Sequence, residues 1–320
     1  MSMQGEPRFK RVNVCGECPA KCNTRTRCSS AKLTPRSYGG IRFTSDGFDC
    51  ALPVSMDSFS HCSYGCVYCF SDNTIQHREA SAAHIGETSL KTIERLFAGE
   101  PSAYGDQIRT ALKYHDRNKN GYPCPVQLGT LNDPCDHIER HRGWLLEYID
   151  IAIKYRQPTR ISTKGTVFQL KEYLDRIAKA PELFWVAFSI ITPDDSLIEK
   201  IDLLAPNATQ RIKTMKALSD VGVKTSLRFR PMLPGASDKT KRYPRAYKTL
   251  IEMAAEAGAS AVSYEVAFVP GRIPAKLKSR WQYLQNVLNF DLAAEYRKFG
   301  AAHACMRPPY TWTENIQPIR

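Results

Sequence analysis

Three cysteines stand within eight residues in His61-Cys62-Ser-Tyr-Gly-Cys66-Val-Tyr68-Cys69, spaced C-x3-C-x2-C. Three thiolates from one short loop can each take one iron of a cubane and leave the fourth iron open. An open iron can chelate the amino and carboxylate groups of a small molecule, and a reduced cluster can pass it an electron. Zinc is the alternative, but a closed tetrahedral site needs a fourth ligand at metal-binding spacing, and three cysteines on a strand-to-helix loop without an obvious fourth ligand fit it poorly. A second group, Cys15, Cys18, Cys22 and Cys28, reads C-x2-C-x3-C-x5-C. It offers four thiolates at once, a set suited to zinc or to an auxiliary iron–sulfur cluster. Of the eleven cysteines only Cys50, Cys124, Cys135 and Cys305 lie outside these groups. Such tight clusters favour metal sites in a reducing compartment over disulfides.

These groups need a frame. From about residue 48 to 269, short apolar runs alternate with amphipathic stretches. Strands are expected at 51–56, 126–129, 159–163, 184–190, 224–230 and 261–266. Helices are expected at 89–98, 138–155, 167–178, 209–221 and 245–257. The 138–155 stretch places Trp144, Leu145, Tyr148, Ile149 and Ala152 on one face. Repeated strand–helix units imply a parallel α/β sheet with right-handed crossovers, either a barrel or an open doubly wound sheet. The C-x3-C-x2-C loop follows the first of these strands. Residues 1–47 are expected to form a cysteine-rich metal-binding extension, 48–269 the barrel, and 270–320 a helical C-terminal cap (helix at 278–299). Asn118-Lys-Asn-Gly121 reads as a turn. Tyr310 and Trp312, in a Pro-rich ending, read as packing residues.

The cysteine loop, with Tyr68 before its third cysteine and its place after strand one, resembles the radical S-adenosylmethionine (SAM) superfamily. Further motifs occur in order: Leu128-Gly-Thr130-Leu-Asn-Asp133-Pro134-Cys135, Ser162-Thr163-Lys164-Gly165, Ser189-Ile-Ile-Thr192 and Arg228-Phe-Arg230-Pro-Met-Leu-Pro-Gly235. Together they are similar to the branch related to spore photoproduct lyase, over about residues 49–269. The resemblance implies a partial (β/α)6 TIM-type barrel, a [4Fe–4S] cluster on Cys62, Cys66 and Cys69, and SAM as cofactor. It implies reductive cleavage of SAM to a 5′-deoxyadenosyl radical, which abstracts a hydrogen atom from the substrate.

Matched positions inherit roles. Lys164 and Ser189 would bind the methionine carboxylate and ribose side of the cofactor, and Arg228 lies on a strand that lines the cofactor site. Glu87 would bind the cofactor's amino group, or else it opens the following helix at its positive end. Tyr68 would relay radicals or shield the cluster. That branch carries a hydrogen-donating cysteine where this chain has Gly129-Thr130, which argues against repair of thymine photoproducts. Cys135, just past the Asp-Pro turn, is then the candidate donor, with a buried inert thiol as the alternative.

Lys and Arg outnumber Asp and Glu by 45 to 32, a net charge of +13. From Asn207 to Leu250 there are eleven Lys or Arg against two Asp, interleaved with Tyr243 and Tyr247. Cations that meet phosphates, and tyrosines that stack on bases, suggest a DNA or RNA substrate. Arg25 and Arg27, in the N-terminal cysteine loop, could likewise meet phosphate. The rivals are a peptide or small-metabolite substrate, and a zinc-bearing nucleic-acid-binding protein without enzymatic activity. A flavodoxin- or ferredoxin-type electron donor would serve the cluster. No apolar run approaches the roughly 18–20 residues of a membrane span, and no apolar signal core is present, so the expected location is cytoplasmic.

Overall fold

The computed structural model describes residues 36–37, 39–43, 52–60, 62–69, 86–100, 108–110, 112, 124–267, 269–270, 278–289, 291–292, 294 and 305–306. Cys15, Cys18, Cys22, Cys28, Arg25, Arg27, the 118–121 turn, Tyr310 and Trp312 lie outside them.

The strands are β1 (Arg36–Ser37), β2 (Ile41–Phe43), β3 (Val54–Met56), β4 (Gly86–Glu87), β5 (Val126–Leu128), β6 (Thr159–Thr163), β7 (Phe184–Ser189), β8 (Lys224–Met232), β9 (Ala259–Val266), β10 (Val269–Pro270) and β11 (Cys305–Met306). The helices are α1 (Leu90–Phe97), α2 (His137–Arg142), α3 (Trp144–Lys154), α4 (Lys171–Ile177), α5 (Asp195–Ile201), α6 (Ala208–Asp220), α7 (Ala246–Glu256) and α8 (Lys278–Leu288). The main sheet runs β2-β3-β5-β6-β7-β8-β9. Its last six strands are parallel, while β2 joins antiparallel at the edge. A doubly wound sheet reverses its strand order midway; here the order is sequential throughout, as in a barrel wound in one direction. The architecture is therefore a partial (β/α)6 TIM-type barrel. Because β2 pairs with β3, the sheet begins inside the stretch expected to be the N-terminal extension.

Each strand sorts its residues by face. Ile161, Val186, Phe188, Leu227 and Phe229 are buried in the main core, under the helices. Residues one step away point to the other, concave side, since side chains alternate along a strand. The helices start where side chains supply acceptors for free N–H groups: Ser89 for α1, Asp136 for α2, Asp194 for α5, and an Asn207/Gln210 capping box for α6. The single helix expected at 138–155 is instead two. Gly143, at φ +65°, is the left-handed stop of α2 and the residue before α3. Such a conformation suits glycine and breaks the hydrogen-bond ladder. The apolar face expected on this stretch is still the one that packs: Trp144, Leu145, Leu146, Tyr148, Ile149 and Ala152 of α3 are all buried. In the stretch expected at 167–178, a 3-10 turn at Val167–Gln169 precedes α4. The tail helix α8 is described to Leu288. Among the described residues, no helix is long and apolar enough to cross a membrane.

Candidate active site at the barrel mouth

Active groups of such barrels come from the loops at the C-terminal ends of the strands. Here four buried aspartates tie those loops together. Asp57, just past β3, accepts from the backbone N–H groups of Thr130, Leu131 and Asn132 at 2.8, 2.9 and 3.2 Å, and pairs with Arg42 at 2.6 Å. Asp133 accepts from Cys135 N at 2.9 Å, Thr163 Oγ1 at 2.6 Å and Lys164 N at 2.6 Å. The loop after β5 is thereby fastened to the loop after β6. Asp136 accepts from Ser63 N at 2.9 Å while it caps α2 through Ile138 N at 2.8 Å, so it holds the cysteine loop. Burial pushes the Asp136 carboxyl up to about 7.

The fourth aspartate, Asp202, follows α5 and is fully buried. It accepts from Tyr68 Oη at 2.6 Å, Lys164 Nζ at 2.9 and 3.0 Å, and Arg211 at 2.8 Å. Burial alone would raise this carboxyl, but Lys164 and Arg211 outweigh it and hold the carboxyl below the usual range. Arg211 also donates to the carbonyls of Pro206 and Ser189, each at 2.7 Å. The cysteine loop docks on the same element: Val67 N donates to Ile201 O at 2.8 Å, and Leu204 N to Tyr64 O at 3.0 Å.

Two glycines make the loops fit. A Cβ on Gly129 (φ +82°) would lie 2.6 Å from Ser162 O and from Pro134 Cδ. A Cβ on Gly165 would collide with the Cys135 carbonyl and crowd Tyr64 Oη at 2.6 Å. The Gly-Thr-x-x-Asp-Pro and Thr-Lys-Gly motifs are thus two halves of one backbone contact.

The expected site residues fall as follows. Cys62, Cys66 and Cys69 share the loop at the mouth, with Cys66 buried and the other two partly so. Burial and the nearby Asp136 and Asp133 push the Cys62 thiol up, and burial followed by Asp202 does the same to Cys66. Bare thiolates are disfavoured in so dry and acidic a place, so the set suits a cationic centre that neutralises them. Tyr68 and Lys164 meet at Asp202, with Lys164 Nζ 4.6 Å from the Tyr68 ring centre. One carboxylate between two cations leaves one unit of positive charge, and Lys164 is its partly exposed bearer. Ser189 ends β7, and its carbonyl takes Arg211.

Glu87 lies in β4 and receives Arg142 Nε at 2.8 Å; Ser89 caps the helix in its stead. Cys135 is buried beside Gly165 and below Tyr64, whose hydroxyl donates to the Cys135 carbonyl at 2.7 Å. Burial raises its thiol well above the ordinary value, which keeps it protonated. Cys124 sits ahead of β5, at the opposite end of the barrel.

Sequence reasoning misses Asp57, Asp136, Asp202 and Arg211 as site residues. In sequence Arg211 counts toward the basic 207–250 stretch as a potential phosphate contact. The structure corrects this: Arg211 is fully buried and its donors are spent on Asp202, Pro206 and Ser189. Lys216 and Lys248 are taken by Asp220 and Glu252 one helical turn away.

Residues 56–243, more than half of the chain, match the family model of the radical SAM superfamily, and the chain belongs to that superfamily. It is a radical SAM enzyme, and the family implies a [4Fe–4S] cluster and SAM. Among solved structures, spore photoproduct lyase complexed with dinucleoside spore photoproduct is similar at 14% identity and TM-score 0.58, covering 97% of this chain and 82% of that one. A double mutant of spore photoproduct lyase, with bound AdoMet and dinucleoside spore photoproduct, is similar at 13% identity and TM-score 0.56, covering 86% and 73%. No curated protein matches the chain. The family sets aside the reading of a zinc-bearing scaffold without enzymatic activity.

Proposed function

We propose that the protein is a radical SAM enzyme that abstracts a hydrogen atom from a nucleic acid or nucleotide held on the concave face of its barrel. The observation that carries the substrate class is that face itself. In a closed barrel of this type the inward positions are filled with branched apolar side chains. Here they include Gln127, Arg160, Ser162, Ser226, Arg228 and Arg230, set opposite the apolar core. Such a lining suits a ligand with phosphates and polar edges. The fold shared with a lyase that holds a dinucleoside supports the same reading.

Cys62, Cys66 and Cys69 would hold the cluster, which supplies an electron and an open iron for the methionine end of SAM. Lys164, with the surplus charge of the Asp202 network, would pair with the cofactor's carboxylate, and Ser189 would face its ribose. Cys135 is a candidate hydrogen donor. Cys15, Cys18, Cys22 and Cys28 would form a second centre, an auxiliary cluster or zinc, in an extension preceding the barrel. A small electron-transfer protein would reduce the cluster.

Formation of 5′-deoxyadenosine by anaerobically reconstituted protein and reductant, with and without DNA or RNA, tests the proposal. A Cys62→Ala, Cys66→Ala, Cys69→Ala triple variant should abolish the product. One polynucleotide should stimulate its formation in the wild type. Cleavage that no nucleic acid or nucleotide stimulates would point to a peptide or metabolite substrate.

A further inference from the structure

Within that substrate reading, one group on the concave face stands apart from the cofactor side. Polar side-chain atoms buried there without a hydrogen-bond partner among the described residues include Ser162 Oγ, Arg228 Nε and Ser263 Oγ. They come from β6, β8 and β9 and share one face. Ser162 is in register with Ala187, which is in register with Ser226, two residues before Arg228. Arg228 is in turn in register with Ser263. Their neighbours in sequence on β6 and β8, Ile161, Leu227 and Phe229, lie in the core on the other side.

A buried guanidinium normally has a carboxylate, as Arg211 has Asp202; even Arg230, more exposed on the same strand as Arg228, pairs with Glu265. Around Arg228 the charges that act are cationic. Burial, then Arg230 and Arg160, push its guanidinium down to about 9. A half-buried cation whose Nε is shut away from water, pressed by two other cations, with one idle hydroxyl in register on β9 and another on the same face of β6, is short of one anion. The cofactor's carboxylate does not need this arginine, because the surplus charge at Lys164 lies nearer the cysteine loop, on the β6–α5 side. Trp185, in register with Arg160 and 39% exposed, adds an aromatic surface on the same face, with the Arg160 guanidinium 5.6 Å from its ring centre.

We propose that Arg228, with Ser162 and Ser263, forms an oxyanion subsite for a phosphate group of the substrate, rather than part of the cofactor site. A planar guanidinium with two flanking hydroxyls can donate to the oxygens of a phosphodiester. Trp185 then offers a ring on which a base can stack.

Calorimetric titration of the anaerobically reconstituted full chain with a deoxydinucleoside monophosphate, its neutral methylphosphonate counterpart, SAM and inorganic phosphate tests the subsite. The wild type should prefer the phosphodiester over the methylphosphonate by roughly 10- to 100-fold, the range of a charge-assisted hydrogen bond. Arg228→Gln should erase that preference and leave SAM affinity within about twofold of wild type. Arg228→Lys should restore part of it, and Ser263→Ala should lower it several-fold. These two variants carry the comparison if Arg228→Gln fails to fold.

A preference that survives Arg228→Gln, or a loss of SAM binding with the dinucleotide unaffected, overturns the assignment. If no dinucleotide binds the wild type, the nucleic-acid reading fails, and inorganic phosphate decides the subsite. Phosphate binding lost in Arg228→Gln preserves the subsite, whereas binding that is absent or indifferent to Arg228 removes it.

Discussion

The two sides of the barrel mouth solve the burial of charge in opposite ways. On the β3–β6 side, Asp57, Asp133, Asp136 and Asp202 are buried, and each accepts several hydrogen bonds from this chain's own loops. On the β8–β9 side, Arg228 has its Nε buried without an acceptor among the described residues. Fully satisfied polar networks stiffen a structure, whereas an unsatisfied buried group costs free energy that only a partner from outside can return. The first side reads as a finished cradle that positions the cysteines and Lys164 before any ligand arrives. The second reads as a half-made contact.

This contrast can be broken most forcefully at Asp202. Asp202→Asn leaves Arg211 and Lys164 buried without their counter-charge and should cost about 3–5 kcal/mol in urea unfolding. A loss under about 1 kcal/mol would mean that the two cations find other acceptors.

Glu139 sharpens the point, because it is a buried acid with no cation bonded to it among the described residues. It accepts from Tyr173 Oη at 2.7 Å and Leu145 N at 3.0 Å, and burial pushes its carboxyl up to about 8. Well below about pH 4.5 the group is protonated in both folded and unfolded chains and exerts no pH dependence. As pH rises towards 8, the unfolded chain ionises while the folded one resists, so stability falls; above 8 the full penalty applies. Glu139→Gln keeps both accepted bonds and should raise stability by about 2 kcal/mol at about pH 9 and leave it nearly unchanged at about pH 4.5. Equal effects at both values would show that Glu139 ionises without penalty.

The smallest expected effect has the opposite sign to the first. Arg228→Gln removes a half-buried charge, its Nε shut from water, with no counter-ion among the described residues, so in the absence of ligand it should raise stability by about 1 kcal/mol. A large loss instead would show that the arginine has a structural partner.

Much of the fold was legible. Six strands and their helices announce themselves because short runs with apolar residues at alternate positions, such as Ile161 in β6 and Leu227 and Phe229 in β8, are separated by stretches that carry one apolar stripe. The expected 159–163 strand and Thr159–Thr163 coincide. What escaped was local backbone geometry and distant pairing. Gly143 sits inside an unbroken apolar period, so periodicity runs across it although its left-handed conformation splits the helix. Strand β2 is three residues whose partner is set by contact with β3, not by its own pattern.

At the site, the cysteine loop and Lys164 were legible because their spacing is itself the chemistry. Asp202 was not: it stands in Lys-Ile-Asp-Leu-Leu, where no spacing marks it, and acquires its meaning only when α5 meets the cysteine loop. Arg211 shows the reverse error. A cation in a basic stretch counts toward a surface in sequence, yet folding turned this one inward.

The clasp between Tyr68 and Asp202 spans 134 residues of chain. At roughly 5–20 residues per second, a ribosome takes about 7–27 s to travel between them. During that interval the cysteine loop is already made while its anchor is not. Nascent chain therefore passes through a stage in which Cys62, Cys66 and Cys69 are open to metal delivery and to oxidation alike, and synthesis of the second half of the barrel closes that window.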